Sequence, residues 1–148
     1  DVRALAGDVP LVEPGDVLVL GDADGPRRQL AGAAEASVAI PDARVFDASA
    51  IRAAGVEMVA DRMAALIERE NMPFWLHLDI DVVDGSVMPA VSFPVSGGLA
   101  WGELDVLLRP IVRDHRLAGV SLAGLNVDRD PGREYTAQVA EVLTSLLA

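Results

Sequence analysis

His77, Asp79 and Asp81 interrupt an apolar run at every second position, in Phe74-Trp75-Leu76-His77-Leu78-Asp79-Ile80-Asp81-Val82. A strand sends successive side chains to opposite faces, so residues two apart point the same way. A strand over 74–82 therefore gathers one imidazole and two carboxylates on one face. Carboxylates this close repel each other and lose solvation on an apolar strand, and a divalent cation between them relieves both costs. The plainer alternative is that the acids cap a strand end and face water.

The rest of the chain sets that strand in an alternating pattern. Val17-Leu18-Val19-Leu20, ending in Gly21, is a short continuous apolar run of the kind found in buried parallel strands. Asp22-Ala23-Asp24-Gly25 follows as a loop; a calcium loop would need an acid at its twelfth position, where Ala33 stands. Residues 30–36 read as a small-residue helix or loop, and Val38-Ala39-Ile40 as a second short strand. The spacing predicts one helix from Ser49 to Asn71, capped by Ser49 and stopped by Asn71 and Pro73. A helix over 100–114 follows, with Leu104, Leu107, Leu108 and Ile111 inward and Pro110 as a kink. A strand over 117–127 and a closing amphipathic helix over 135–147 complete the pattern.

Strands alternating with helices imply crossover connections and a parallel sheet with helices on both faces. Such sheets bind ligands at the carboxyl ends of their strands. Asp79 and Asp81 fall at one such end, and Asn126-Val127-Asp128 at the next. No repeat or linker divides the 148 residues, so a single domain over 1–148 is expected.

Composition narrows the partners. A net charge of −11 argues against nucleic acid and anionic membrane surfaces, which need cationic patches. No apolar run reaches the roughly 18 residues of a membrane span. The start, Asp1-Val2-Arg3, has no basic-then-apolar leader pattern. With no cysteine, thiolate metal sites and disulfides are excluded, which suits a cytoplasmic protein using hard, oxygen-liking ions. The 51% hydrophobic content is high for so short a chain and points to surface covered by something else, or to simple alanine richness.

Downstream of the acids runs Asp84-Gly85-Ser86-Val87-Met88-Pro89-Ala90-Val91-Ser92-Phe93-Pro94-Val95-Ser96-Gly97-Gly98-Leu99. From His77 to Leu99 the chain resembles the arginase/agmatinase (ureohydrolase) family, whose pattern is a strand with D-x-D, a nearby Asp-Pro, a Pro-Ala, another Pro, and Gly-Gly-Leu opening the next helix. The resemblance implies a three-layer α/β/α fold with a mostly parallel sheet, present here as its C-terminal half. It implies hydrolysis of linear C–N bonds in guanidino or amidino compounds by a pair of Mn²⁺ ions, with Asp79 and Asp81 as ligands. His77, Asp84 and Asn126 would then lie beside the ligands or the substrate, His77 either orienting a ligand or sitting as a satisfied buried histidine. The family draws its other ligands from a segment N-terminal to the matched region, and nothing over 1–71 reads that way. A missing N-terminal half or partner chain is therefore expected to complete the site, and a homo-oligomer is expected.

The chain also departs from the family pattern. Gly85 replaces the usual Pro after Asp84, and Phe93 stands where a small hydroxyl residue is common. Alignment on Asn126 puts Gly124 where members that cleave arginine or agmatine carry a Glu for the guanidinium. Losing that bidentate contact predicts poor recognition of arginine itself. The competing expectation is an inactive arginase-like structural or regulatory subunit. His115, in Arg113-Asp114-His115-Arg116, is expected to be solvated.

Overall fold

A computed structural model describes residues 12–23, 25, 32 and 44–148. The expected helix or loop over 30–36 (apart from Gly32), the strand over 38–40, and Asp24 and Ala33 of the acidic loop lie outside the described residues.

Two parallel strand pairs form the framework. β1 (Leu18–Asp22) pairs with β2 (Arg44–Asp47), and β3 (Phe74–Asp79) with β4 (Leu117–Ala123). Between β2 and β3 lie α1 (Ala48–Ala54) and α2 (Val56–Glu70); α3 (Trp101–Val112) joins β3 to β4, and α4 (Glu134–Leu147) ends the chain. β1 is only half-buried apart from Gly21, less covered than its apolar sequence suggested. β2 was not anticipated, because Arg44-Val45-Phe46-Asp47 shows only two apolar residues between charges.

The long helix expected over 49–71 is two helices. Gly55 breaks it with φ +93, a conformation L side chains rarely adopt. The first helix is capped by Asp47 rather than Ser49: its carboxylate accepts from Ala50 N at 2.7 Å and from the Ser49 hydroxyl at 2.7 Å. Asn71 ends α2 in the left-handed region with φ 49, the stop the sequence indicated. α3 keeps its four expected inward residues buried and continues through Pro110 to Val112. On α4, Val139 and Leu146 are buried, with Tyr135, Val142 and Leu143 packed beside them.

β3 shows how the core is built. Phe74, Leu76 and Leu78 join a core with Val59 and Met63 of α2 and Leu104, Leu107 and Ile111 of α3. The opposite face carries Trp75, His77 and Asp79, in register with Gly119, Ser121 and Ala123 of β4. That face is largely open among the described residues, with Trp75 63% exposed. The helical layer expected on both sides thus covers one face of β3–β4 in the described residues.

Candidate functional site

The strand expected over 74–82 stops at Asp79, and Ile80–Val82 forms a 3-10 turn. Asp81 therefore leaves the strand instead of sharing its face with His77 and Asp79. The cause is local: the Asp79 carboxylate accepts from Asp81 N at 3.4 Å, and such a side chain competes with the sheet ladder for the backbone. Asp79 and Asp81 remain together in one acidic turn at the carboxyl end of β3.

The end of β4 repeats the device one strand over. β4 stops at Ala123 rather than at 127, and Asn126 accepts from Asp128 N at 3.1 Å above the 3-10 turn Val127–Arg129. Gly124 separates the two, with φ +87. A Cβ there would overlap Asp79 Oδ1, so the glycine makes room for the Asp79 carboxylate.

The proline-containing loop closes over both strand ends. Val83 bridges to Leu99, and Val91 to Leu125. Asn126 N donates to Ala90 O at 2.8 Å and Ser92 N to Gly124 O at 3.2 Å. Met88, Ala90 and Val91 are fully buried, so this is an ordered, packed segment. Asp84 anchors its base, accepting from Ser86 N at 2.9 Å, Ser86 Oγ at 2.6 Å and Gly97 N at 2.7 Å. The Ser86 hydroxyl, then the Ser86 and Gly97 amides, hold the Asp84 carboxyl below its ordinary range. Gly85, where the family usually has Pro, sits so close to Pro94 that a Cβ would come within 2.9 Å of it.

His77 belongs to a different group on the open face. Its Nδ1 shares a 2.8 Å hydrogen bond with Ser121 Oγ, which also accepts from Trp75 Nε1 at 3.0 Å. His77 is exposed among the described residues. His115 is 85% exposed, as expected. Phe93 is also exposed, at 55%.

The structure thus brings Asp79, Asp81, Gly124 and Asn126 to one end of the β3–β4 pair, with Asp84 just behind and His77 further back along β3. Among the described residues no group of three or more His, Cys, Asp or Glu side chains is placed to hold a metal ion. Asp79 and Asp81 suit a hard cation chemically but make only part of a donor set.

Several contributors were missed in the sequence. Ser121 carried no signal of its own, since its place beside His77 depends on the register of β3 against β4. Glu103, three residues after Ala100, has capping-box spacing and accepts from Ala100 N at 2.7 Å. Arg52 carried no signal, since its partners lie 45 to 51 residues away.

A parallel β/α framework with an acidic turn and a packed loop at the carboxyl ends of neighbouring strands sets these residues where proteins of the α/β class commonly bind ligands. The profile of the Arginase family matches residues 11–148, and this chain belongs to that family. It is 30% identical over 105 residues to the N(1)-aminopropylagmatine ureohydrolase of Thermus thermophilus, covering 64% of this chain and 36% of that protein. It is 31% identical over 102 residues to the N(omega)-hydroxy-L-arginine amidinohydrolase of Streptomyces lavendulae, covering 66% and 36%. The structure superposes on formimidoylglutamase from Bacillus subtilis with a TM-score of 0.78 at 19% identity, covering 99% of this chain and 44% of the other. The fold is the three-layer, arginase-like α/β/α class with a parallel sheet. The chain spans less than half the length of these relatives.

Proposed function

We infer that this chain is part of a manganese-dependent hydrolase of linear C–N bonds in guanidino or amidino compounds, with Asp79 and Asp81 among its metal ligands. The observation that carries this reading is the acidic turn at the carboxyl end of β3, in a chain of the arginase family. The matched relatives, by name, act on aminopropylagmatine, hydroxyarginine and formimidoylglutamate.

Two bound manganese ions would supply Lewis-acid polarisation and a nucleophile at neutral pH. The residues of this chain prepare the place. Asp79 is fixed between the Asp81 amide and Gly124, which limits its rotamers before any ion binds. Asp84 and the buried loop hold the turn from behind, and Asn126 closes the neighbouring strand end. The remaining donors come from polypeptide outside these residues, either an N-terminal half or a partner chain. The same reading places the protein in the cytoplasm as a homo-oligomer with a small substrate. Among the described residues no helix is long and apolar enough to cross a membrane.

Gly124 supplies no carboxylate for a guanidinium, so arginine and agmatine are expected to be poor substrates and formimino compounds better ones. Installing Glu at 124 is not a simple restoration, because any side chain there meets Asp79. The test is urea release from arginine and agmatine, and formamide release from formimino compounds, by the Mn²⁺-loaded protein in its native assembly. Asp81→Asn should abolish turnover while leaving the fold intact. Metal-loaded, folded protein that cleaves none of the panel would overturn the assignment. The second reading, an inactive structural or regulatory subunit, is favoured by the lack of a third grouped ligand among the described residues.

A further inference from the structure

One side chain from a remote helix holds the segment that backs the acidic turn. Arg52, on α1, donates from Nη1 to Gly97 O at 3.1 Å and from Nη2 to Gly98 O. Its Nε and Nη2 also donate to the Glu103 carboxylate, at 3.0 and 3.1 Å. Arg52 holds the Glu103 carboxyl below its ordinary range, with the Ala100 amide contributing. All three guanidinium nitrogens are therefore engaged in one planar fork, which a lysine cannot imitate.

The clamped glycines connect directly to the turn. Gly98 lies so close to the preceding segment that a Cβ would come 2.6 Å from Asp84 N. Leu99 N donates to Val82 O at 2.8 Å, and Asp84 N donates to Leu99 O at 2.9 Å. Val82 is the residue after Asp81. A continuous set of contacts thus runs from the guanidinium through Gly97–Leu99 to Val82 and Asp84, the backbone that directly follows Asp81.

We propose that Arg52 is a positioning residue for the acidic turn: it fixes Gly97–Leu99 against Val82–Asp84 and so sets how Asp79 and Asp81 present their oxygens to a divalent cation. This rests on the reading of Asp79 and Asp81 as ligands. The Arg52 side chain is 38% exposed, so its charge pairing with Glu103 counts for little in water. The geometry is carried by the two carbonyl contacts, and retaining the charge alone does not preserve it.

The test compares the wild-type chain with Arg52→Met, Arg52→Lys and Glu103→Gln by NMR, reading amide exchange and Mn²⁺-induced broadening. In both Arg52 variants, exchange at Leu99 and Asp84 should quicken about tenfold or more. The Mn²⁺ concentration that half-broadens the amides of 80–82 should rise about tenfold, the usual cost of losing a residue that orients a ligand. Glu103→Gln, which leaves the carbonyl contacts in place, should change both by less. Unchanged exchange and broadening in Arg52→Met would overturn the proposal, as would full rescue by Arg52→Lys. Equal acceleration at the core amide of Leu107 would also overturn it, by showing general destabilisation instead. If the wild type shows no broadening over 79–82, the ligand reading itself fails and the proposal falls with it, whatever the exchange data show.

Discussion

Gly124 and Gly55 both hold positive φ, at +87 and +93, but in different surroundings. Around Gly55 a Cβ would meet nothing within 4 Å, whereas at Gly124 it would overlap Asp79 Oδ1. Gly55→Ala should therefore cost only the backbone strain of its φ +93, ψ 125 conformation, about 1–3 kcal/mol. Gly124→Ala should cost more and should also weaken Mn²⁺ binding, because the Asp79 carboxylate must move. Denaturant melts with parallel metal titrations separate the two; equal losses and unchanged metal binding would remove Gly124 from the site. At this scale the sequence was informative where chemistry is local. Asp79, Asp81 and Asn126 lie at strand ends as expected, but that Asp79 would bend its own strand depended on a side-chain-to-amide bond that period-2 reasoning does not contain. His77 acquired its partner, Ser121, through sheet register, which an isolated strand pattern does not fix.

At the scale of elements, caps and inward faces decide stability. Asp47→Ala removes the side chain that accepts from Ala50 N and Ser49 Oγ, and should cost about 1 kcal/mol. Ser49→Ala should cost less, since Asp47 keeps its bond to the Ala50 amide. Leu107, 1% exposed on α3, should cost about 2–5 kcal/mol when cut to Ala. Both are read from the shift in denaturation midpoint. Helix faces were legible because a 3.6-residue period survives whatever packs against it. The break at Gly55 was not, because a glycine inside a periodic run is tolerated as often as it interrupts. The Arg116 fork shows what else lay beyond sequence reading: it binds Asp114 at 2.7–2.8 Å and reaches Glu68 O at 3.2 Å, tying the end of α2 to the start of β4.

For the whole molecule, the carboxylates that fasten these pieces share one titration sign. The Ser49 hydroxyl at Asp47, the Ser86 hydroxyl at Asp84, Arg52 at Glu103 and Arg116 at Asp114 each hold a carboxyl below its ordinary range. Burial pushes Asp130 up, but the Thr136 hydroxyl and the amides of 134–136 outweigh it and leave that carboxyl lowered as well. A depressed folded value means the ionised form is favoured by folding, so this stability is fully present above the unfolded values of about 4. It is lost as pH falls below them toward the folded values. Thermal midpoints should be flat around neutrality and drop steeply below about pH 4; a maximum in acid would contradict the assignment.

The parallel pairs with flanking helices were foreseen from alternation, but the β3–β4 face left largely open among the described residues was only hinted at by apolar content. Its exposed Trp75 is the kind of surface that a completing segment would cover. The central claim, that Asp79 and Asp81 are two ligands of a site finished elsewhere, is tested most directly by Mn²⁺ calorimetry on this chain and its Asp79→Asn and Asp81→Asn variants. Weak binding by residues 1–148, lost in either variant, is the predicted result. Tight binding of two ions by residues 1–148, or binding indifferent to both substitutions, would contradict it.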